Sequence, residues 1–195
     1  MNLITIQSQI ELSITTKQAL LSDVVELEKL EFLAQNVVQS LKQGGKVIFA
    51  GNGGSFSDAQ HLSAEFISRF LFNRAPLASV VLGANNSAMS AIGNDYGFDQ
   101  IFARELEGLA KGNDIFIPIS TSGNSRNILE SVNKAKELGL ITVGLTGADG
   151  GKLKLLCDCI QVPSNETTRI QECHIMLGHI LCQLVEKSIF SESSQ

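Results

Sequence analysis

Apolar positions divide the chain into a helical beginning and an alternating remainder. Over residues 1–43, apolar side chains recur at spacings of three and four, the period of one helix face. We predict two helices there, broken near residue 21, with Gly44 and Gly45 ending the second.

From residue 46 onward, short apolar runs alternate with segments of helical period. The predicted strands are Lys46–Ala50, Leu77–Leu82, Asp114–Ile119, Ile141–Leu145 and Cys159–Val162. The predicted helices lie near 56–72, 87–93, 98–111, 125–138 and 168–189. Nearly continuous apolar strands alternating with helices indicate an α/β fold, in which helices cover both faces of a five-stranded parallel sheet.

Composition excludes several classes of protein. The 195-residue chain is acidic, with a net charge of −5 and no basic stripe, so a nucleic-acid partner is not expected. No apolar run reaches the roughly 18 residues that span a bilayer, and the chain lacks a signal-peptide pattern. We therefore expect a cytoplasmic protein without membrane association. Its cysteines are expected to be reduced thiols, mostly buried; they are Cys157, Cys159, Cys173 and Cys182.

The last predicted helix carries more apolar residues than one narrow stripe can hold. They are Ile170, Ile175, Leu177, Ile180, Leu181, Leu184 and Val185. Together with the N-terminal helices, they indicate surface that a monomer would leave exposed. This predicts a homo-oligomer in which residues 1–43 contribute to packing between subunits.

Two turns of small and hydroxyl residues follow predicted strands and precede predicted helices. They are Gly51–Ser55 and Ser120–Ser125. A strand that ends in such a turn offers free backbone N–H groups, hydroxyls and a positive helix end to an anion. Two such turns predict a pocket for a phosphorylated ligand. Neither carries a nucleotide P-loop or a dinucleotide-binding fingerprint, so no nucleotide cofactor is expected.

Titratable residues cluster near the first turn and in the last helix. His61 and Glu65 are four apart and share one helix face. Such a pair is usually a solvated surface pair, but here it lies on the helix that follows an anion-binding turn. His174 and His179 share a helix with Gln171 and Glu172, which weakens the interpretation of these histidines as structural. The segment 93–98 predicts only a turn.

Taken in order, these segments resemble the phosphoheptose isomerases, a family with the sugar-isomerase (SIS) fold. The segments that carry the resemblance are Gly51–Ser55, Asp58–His61, Glu65, Gly93–Asp95, Ser120–Ser125, Arg169–Glu172, His174 and His179–Ile180. The resemblance spans nearly the whole chain. It implies a flavodoxin-like three-layer αβα sandwich with additional N-terminal helices, as a single domain over 1–195. It also implies a cytoplasmic homotetramer with active sites between subunits.

The resemblance further implies an activity and a set of site residues. The reaction would convert D-sedoheptulose 7-phosphate to D-glycero-D-manno-heptose 7-phosphate, the first step toward the ADP-heptose of the lipopolysaccharide core. Glu65 and His179 would be the acid–base pair, and Gln171 would contact substrate or metal. The phosphate would be held by Ser120, Thr121, Ser122 and Ser125, with Ser55 nearby. The sugar would be lined by Asn52, Gly53, Gly54, Asn94 and Asp95. Some family members carry aspartate where this chain has Thr168, so no catalytic role is assigned there.

A zinc ion is also implied by the resemblance, with His61, Glu65, Gln171 and His179 as its ligands. Gln171 and His179 are eight residues apart, or about 12 Å along a straight helix. Zinc–ligand bonds are roughly 2 Å. Both residues reach one ion only if Gln171 lies outside the regular helix or if different subunits contribute.

Two other functions remain open at this point. One is a non-catalytic SIS-fold adaptor that binds a replication initiator protein, and the other is an isomerase of a different sugar phosphate. The presence of both Glu65 and His179 favours an enzyme, because the adaptors lack equivalents of this pair.

Overall fold

A five-stranded parallel sheet forms the middle layer of the molecule, with strand order β2-β1-β3-β4-β5. The computed structural model describes residues 2–190. Its strands are β1 Val47–Gly51, β2 Ser79–Val81, β3 Ile115–Ile119, β4 Ile141–Gly147 and β5 Asp158–Val162. Its α-helices are α1 Leu3–Ser22, α2 Val24–Lys42, α3 Gly54–Ile67, α4 Asn86–Tyr96, α5 Ile101–Leu109, α6 Arg126–Glu137 and α7 Thr167–Phe190. The predicted α/β class and the five parallel strands are confirmed.

Alternate residues of each central strand face opposite helical layers. Val47 and Phe49 of β1 pack in one buried cluster with α2, α3 and α7. Ile48 and Ala50 pack in a second cluster with α5 and α6. Because both faces of the sheet are covered, the central strands β1 and β3 are apolar throughout. This burial on two faces explains the continuous apolar runs in the sequence.

The N-terminal helices α1 and α2 meet at Asp23, close to the predicted break. The Asp23 carboxylate accepts a hydrogen bond of 3.3 Å from the backbone N–H of Glu26, which caps α2. Leu20 is the sole buried residue of α1. A 20-residue helix that buries one side chain gains little from packing on its own chain.

Side chains of α2 complete the hydrogen bonding of the edge strand β5. The Glu26 carboxylate accepts a hydrogen bond of 2.7 Å from the backbone N–H of Gln161. The Lys29 ammonium donates one of 3.0 Å to the carbonyl of Cys159 and another of 2.7 Å to Glu26. Helix α2 thereby covers an edge that would otherwise offer unpaired backbone groups.

Two predicted helix boundaries are wrong. Helix α3 ends at Ile67 rather than near residue 72, because the backbone N–H groups of Phe70 and Leu71 bind the Glu186 carboxylate instead of continuing the helix. The segment 93–98, interpreted as a turn, is helical as far as Tyr96, and the chain turns at Gly97, where φ is +90°.

No helix within residues 2–190 combines the length and apolarity needed to cross a bilayer. The four cysteines are free; three are buried and Cys157 is half-buried.

Gly178 sets the closest approach of α7 to α3, since a Cβ atom there would overlap the Leu62 side chain. We expect Gly178→Ala to lower the free energy of unfolding by about 1–3 kcal/mol, because overpacking a buried contact forces the helices apart. Urea denaturation measures the change. The control is Gly108→Ala in α5, where a Cβ meets nothing within 4 Å. It should raise stability by about 0.5–1 kcal/mol. Equal effects of the two substitutions would contradict this account.

Candidate active site

The first predicted anion turn lies between β1 and α3. Gly53 precedes the helix with φ +53°, and no side chain caps the helix N-terminus. The backbone N–H groups of Ser55, Phe56 and Ser57 donate to the carbonyls of Asn52 and Gly53. The exposed backbone at Gly53 and Gly54 is therefore the part of this turn that is open to a ligand. Ser55 is buried beneath this turn, whereas Gly53 and Gly54 are exposed.

The second anion turn lies between β3 and α6. Ser120 is buried at the end of β3, and its hydroxyl lies 3.3 Å from that of Ser125. Ser125 is the N-cap residue of α6, but its side chain makes no capping hydrogen bond. The second turn thus resembles the first, because it places small polar residues at a helix N-terminus that no side chain caps.

Pairing of β1 with β3 places the two turns side by side. Gly51 and Ile119 are register partners at the carboxyl ends of these strands. The amide side chains of Asn52 and Asn127 then bind each other through two reciprocal hydrogen bonds of 2.9 Å. This is the edge where parallel α/β sheets bind ligands. Asn127, which is buried, was missed in the sequence interpretation; its place in the first turn of the helix after Ser125 was the available signal.

A glycine contact fixes the shape of the second turn. Gly123 has φ +63°, and a Cβ atom there would overlap the Gly150 carbonyl. Asn124 adds a second link, since its side-chain oxygen accepts a hydrogen bond of 3.1 Å from the backbone N–H of Lys152. A cavity of about 220 Å³ opens beside the turn. Its lining includes Thr121, Ser122, Asn124, Asp149, Asn165 and Thr167.

His61, Glu65 and His179 form one cluster across α3 and α7. The Nε2 atom of His61 lies 3.2 Å from the Glu65 carboxylate and 3.4 Å from Nε2 of His179. One ligand atom from each of the three residues lies within 4.8 Å of the others. The Phe70 ring stacks on His179 with the ring centroids 5.6 Å apart. The chain therefore brings both predicted acid–base residues together.

Burial changes the acidity of two groups beside this cluster. It raises the pKa of the Asp58 carboxyl, and the neighbouring His61 opposes that change. It also raises the pKa of the Cys182 thiol to about 12, and the charge of Glu65 adds to that effect. Cys182 is consequently a neutral thiol at physiological pH.

Three further predicted site residues lie away from the histidine cluster within this chain. Gln171 packs its side-chain amide against Gly54, where a Cβ would come within 2.5 Å of it. Helices α3 and α7 run in the same direction, so Gln171 lies beside the first anion turn while His179 lies beside His61. Asn94 and Asp95 are exposed on α4, where the Asn94 amide donates a hydrogen bond of 2.8 Å to Asp95.

Comparison with known proteins agrees with this architecture. Residues 14–147 match the family model described as SIS domain. A phosphoheptose isomerase from Aneurinibacillus thermoaerophilus is 51% identical over 95% of this chain and 94% of its own length. The chain belongs to the phosphoheptose isomerase family. A family structure from Francisella tularensis matches with a TM-score of 0.91 at 35% identity, covering 96% of this chain and 100% of that one. A family structure from Neisseria gonorrhoeae gives a TM-score of 0.87 at 38% identity, over 94% and 97% of the two chains.

The histidine cluster fits the zinc ion that the phosphoheptose isomerase family implies. Ligand atoms around a tetrahedral zinc ion are about 3.3 Å apart for bonds of about 2.0–2.1 Å. The separations at Nε2 of His61, 3.2 and 3.4 Å, agree with that spacing. Three protein ligands would leave one position free, as in catalytic zinc sites. Gln171, the fourth predicted ligand, lies about two helical turns from His179 within this chain.

Residues of the segment Arg169–Glu172 contact different parts of the structure. The Arg169 guanidinium donates a hydrogen bond of 2.7 Å to the Gln9 carbonyl of α1. The Glu172 carboxylate accepts one of 2.6 Å from the Ser13 hydroxyl, and this bond is the main reason that its pKa is lowered. These two residues therefore hold α1 on α7, whereas Gln171 lies beside the first anion turn and Ile170 lines the cavity beside the second.

His174, which the resemblance also includes, lies in the core. It is fully buried, and its Nε2 lies 3.2 Å from the Thr146 carbonyl. Burial lowers its pKa to about 4, so the imidazole is neutral at physiological pH.

The buried imidazole of His174 predicts a loss of stability in acid. Its pKa is about 4 in the folded chain against an ordinary value of 6.5, so between these pH values the unfolded state binds more protons. Stability should fall as pH decreases across this window, by on the order of 3 kcal/mol from this group. Urea unfolding at a series of pH values should show a flatter dependence for His174→Gln than for the wild type. Parallel slopes for wild type and His174→Gln would contradict the assignment.

Proposed function

We propose that this chain is an aldose–ketose isomerase that converts D-sedoheptulose 7-phosphate to D-glycero-D-manno-heptose 7-phosphate in the cytoplasm. The product would feed synthesis of the ADP-heptose of the lipopolysaccharide core. Relatives named phosphoheptose isomerase, at up to 51% identity over nearly the full length, support this substrate. The clustering of Glu65, His61 and His179, whose ligand atoms lie within 4.8 Å of one another, is the structural observation that carries the proposal.

Isomerisation moves one proton between two carbons and one between two oxygens. We assign the carbon step to the Glu65 carboxylate, which takes a proton from C1 of the ketose and returns it to C2 through a cis-enediol. We assign the oxygen step to His179, which accepts the proton of the C1 hydroxyl and gives a proton to the C2 oxygen. The aldehyde then forms at C1 with no net change in protons.

His61, Glu65 and His179 would hold a zinc ion through one ligand atom each, with Gln171 joining them only from another chain. The second carboxylate oxygen of Glu65 and the other ring nitrogen of His179 would then carry the proton steps. The ion would supply Lewis-acid polarisation of the substrate's carbonyl oxygen. Phe70 shields one face of the His179 ring from water and limits its rotation.

The phosphate would bind at the two anion turns. Their helix N-termini offer backbone N–H groups and partial positive charge. Hydroxyls of Ser120, Thr121, Ser122 and Ser125 would add donors, with Ser55 nearby. Asn52, Gly53, Gly54 and Gln171 would line the sugar beside the first turn, together with Asn94 and Asp95.

Distances along α3 favour a site completed by a second copy of the chain. Gly54 and Glu65 are eleven residues apart, or about 16 Å along the helix axis. An extended seven-carbon sugar with its phosphate spans only about 10 Å, at roughly 1.5 Å per carbon–carbon bond. We therefore propose a homo-oligomer, a tetramer by family resemblance, in which phosphate turn and acid–base pair come from different subunits.

Apolar exposure on α1 supports an oligomer as well. Seven of its large apolar side chains are 41–73% exposed; they are Leu3, Ile4, Ile6, Ile10, Leu12, Ile14 and Leu21. Apolar exposure of this extent is typical of a subunit interface.

An adaptor with the same fold is the alternative function. An adaptor needs no acid–base chemistry, so the convergence of a carboxylate and two imidazoles favours the isomerase. An isomerase of a different sugar phosphate would differ from the proposed enzyme only in its substrate.

Glu65→Gln should abolish isomerisation, because an amide cannot carry the proton between C1 and C2. We expect turnover to fall by at least about 10²-fold. An NMR time course with sedoheptulose 7-phosphate, run in the presence of zinc, measures appearance of the aldoheptose phosphate. Glu28→Gln, at an exposed position of α2, is the matched control and should keep wild-type turnover.

The outcomes of this assay separate the candidate functions. Conversion by a folded Glu65→Gln protein at the wild-type rate would contradict the role of Glu65. No conversion by the wild type would contradict the proposed substrate and leave the adaptor or another sugar phosphate. Unphosphorylated sedoheptulose should be converted at least about tenfold less efficiently, because the anion turns then bind nothing.

Mixed oligomers test whether sites are shared between subunits. Glu65→Gln and the double variant Thr121→Ala, Ser122→Ala should each be nearly inactive alone. In a random mixture about one quarter of the shared sites combine an intact turn with an intact acid–base pair, so we expect about that fraction of wild-type activity. Co-expression of differently tagged chains, tandem purification and the same NMR assay measure it. Mixed oligomers with no recovered activity would contradict a shared site.

A further inference from the structure

A buried ion pair between Arg74 and Glu186 lies next to the histidine cluster. The Arg74 Nε atom lies 2.8 Å from the Glu186 carboxylate, and the two side chains are 2% and 0% exposed. Arg74 follows α3 in the chain, whereas Glu186 lies on α7. The pair thus joins the two elements that supply Glu65 and His179.

Arg74 binds the carboxyl end of α3. Its guanidinium donates hydrogen bonds of 2.7 Å to the backbone carbonyls of Glu65 and of Phe66. A cation at this end of a helix satisfies carbonyls that lack an intrahelical partner and interacts favourably with the helix dipole. Since one of these carbonyls belongs to Glu65, Arg74 fixes the backbone from which the proposed base projects.

Glu186 binds the segment that follows α3. Its carboxylate accepts hydrogen bonds of 2.9 and 2.8 Å from the backbone N–H groups of Phe70 and Leu71. The Phe70 ring in turn stacks on His179. Glu186 is seven residues after His179, two turns along the same face of α7. Burial opposes ionisation of Glu186, but these N–H donors and Arg74 lower the pKa of its carboxyl, so it is charged.

We infer that Arg74 and Glu186 are positioning residues for the reaction, which set the separation of Glu65 and His179 through the Glu65 carbonyl and the Phe70 ring. This inference rests on the proposed function. A buried ion pair is seldom needed for stability alone, since apolar residues of similar volume often stabilise a fold equally well. Apolar residues in place of Arg74 and Glu186 could not make the hydrogen bonds that position Glu65 and Phe70.

The chain offers a matched control at the start of β3, outside the histidine cluster. Asp114, which is 1% exposed, pairs with Lys46 and accepts hydrogen bonds of 2.9 and 2.8 Å from the backbone N–H groups of Lys46 and Lys111. Glu186→Gln and Asp114→Asn each remove one buried negative charge that accepts two backbone donors. Only the first of them adjoins the histidine cluster.

The first experiment compares kinetics and thermal unfolding of these two variants. We expect both to lower Tm. Glu186→Gln should lower kcat by about 10-fold to 100-fold with KM within about threefold of wild type, because a small displacement of reacting groups costs rate more than binding. Asp114→Asn should keep kcat within about threefold. Equal kcat values for the two variants would overturn the inference.

The second experiment separates stability from positioning. The double variant Arg74→Met, Glu186→Leu should have a higher Tm than either single substitution, since no unpaired charge remains buried. Its kcat should stay at least about 10-fold below wild type, because the carbonyl of Glu65 and the N–H of Phe70 have lost their partners. Recovery of kcat together with Tm would assign the pair a purely structural role.

A structural readout keeps this test separate from the substrate assignment. The NOE between ring protons of Phe70 and His179 should be present in the wild type and in Asp114→Asn, and lost in Glu186→Gln. An undiminished NOE in Glu186→Gln would overturn the positioning role. If the wild type fails to convert sedoheptulose 7-phosphate, the proposed function fails, and the NOE comparison still decides whether Glu186 positions the ring.

Discussion

The parallel, in-register pairing of β1 with β3 is the constraint on which the candidate site depends. It brings the carboxyl ends of two adjacent strands to one level, so that the helices following them begin side by side. Neither helix N-terminus is capped by a side chain. Asn52 and Asn127 bind each other across the gap through two reciprocal hydrogen bonds. The sheet thus places two helix N-termini side by side, an arrangement that favours an anion.

Contact between α3 and α7 brings the candidate acid–base residues together. Gly178 allows close approach at Leu62, and His61 and His179 then meet one residue away on each helix. The same contact separates the cluster from the anion turns by most of the length of α3. That separation, together with the exposed apolar side chains of α1, is the basis of the proposal that two copies of the chain complete one site.

Polar residues that resemble parts of an active site have two distinct uses in this fold. Some face the ligand-binding edge, as Ser122 does. Others act within the scaffold: Arg169 and Glu172 hold α1, and His174 is neutral in the core. Neighbouring positions on α7 differ in role because successive residues of a helix face different layers. A motif read as a unit in the sequence is therefore divided among the contact with α1, an anion turn and the core.

The sequence by itself determined the α/β class, five strands and the two anion turns, because apolar period and small-residue turns are local properties. It also indicated His61 and Glu65, since a spacing of four places both on one helix face. Tertiary structure alone decided that His179 joins them, that Gln171 lies on Gly54, and that α3 ends early on the Glu186 carboxylate. Each of these depends on a partner more than a hundred residues away in the chain. Local periodicity carries no information about such partners, because they are chosen by the way helices pack across the sheet.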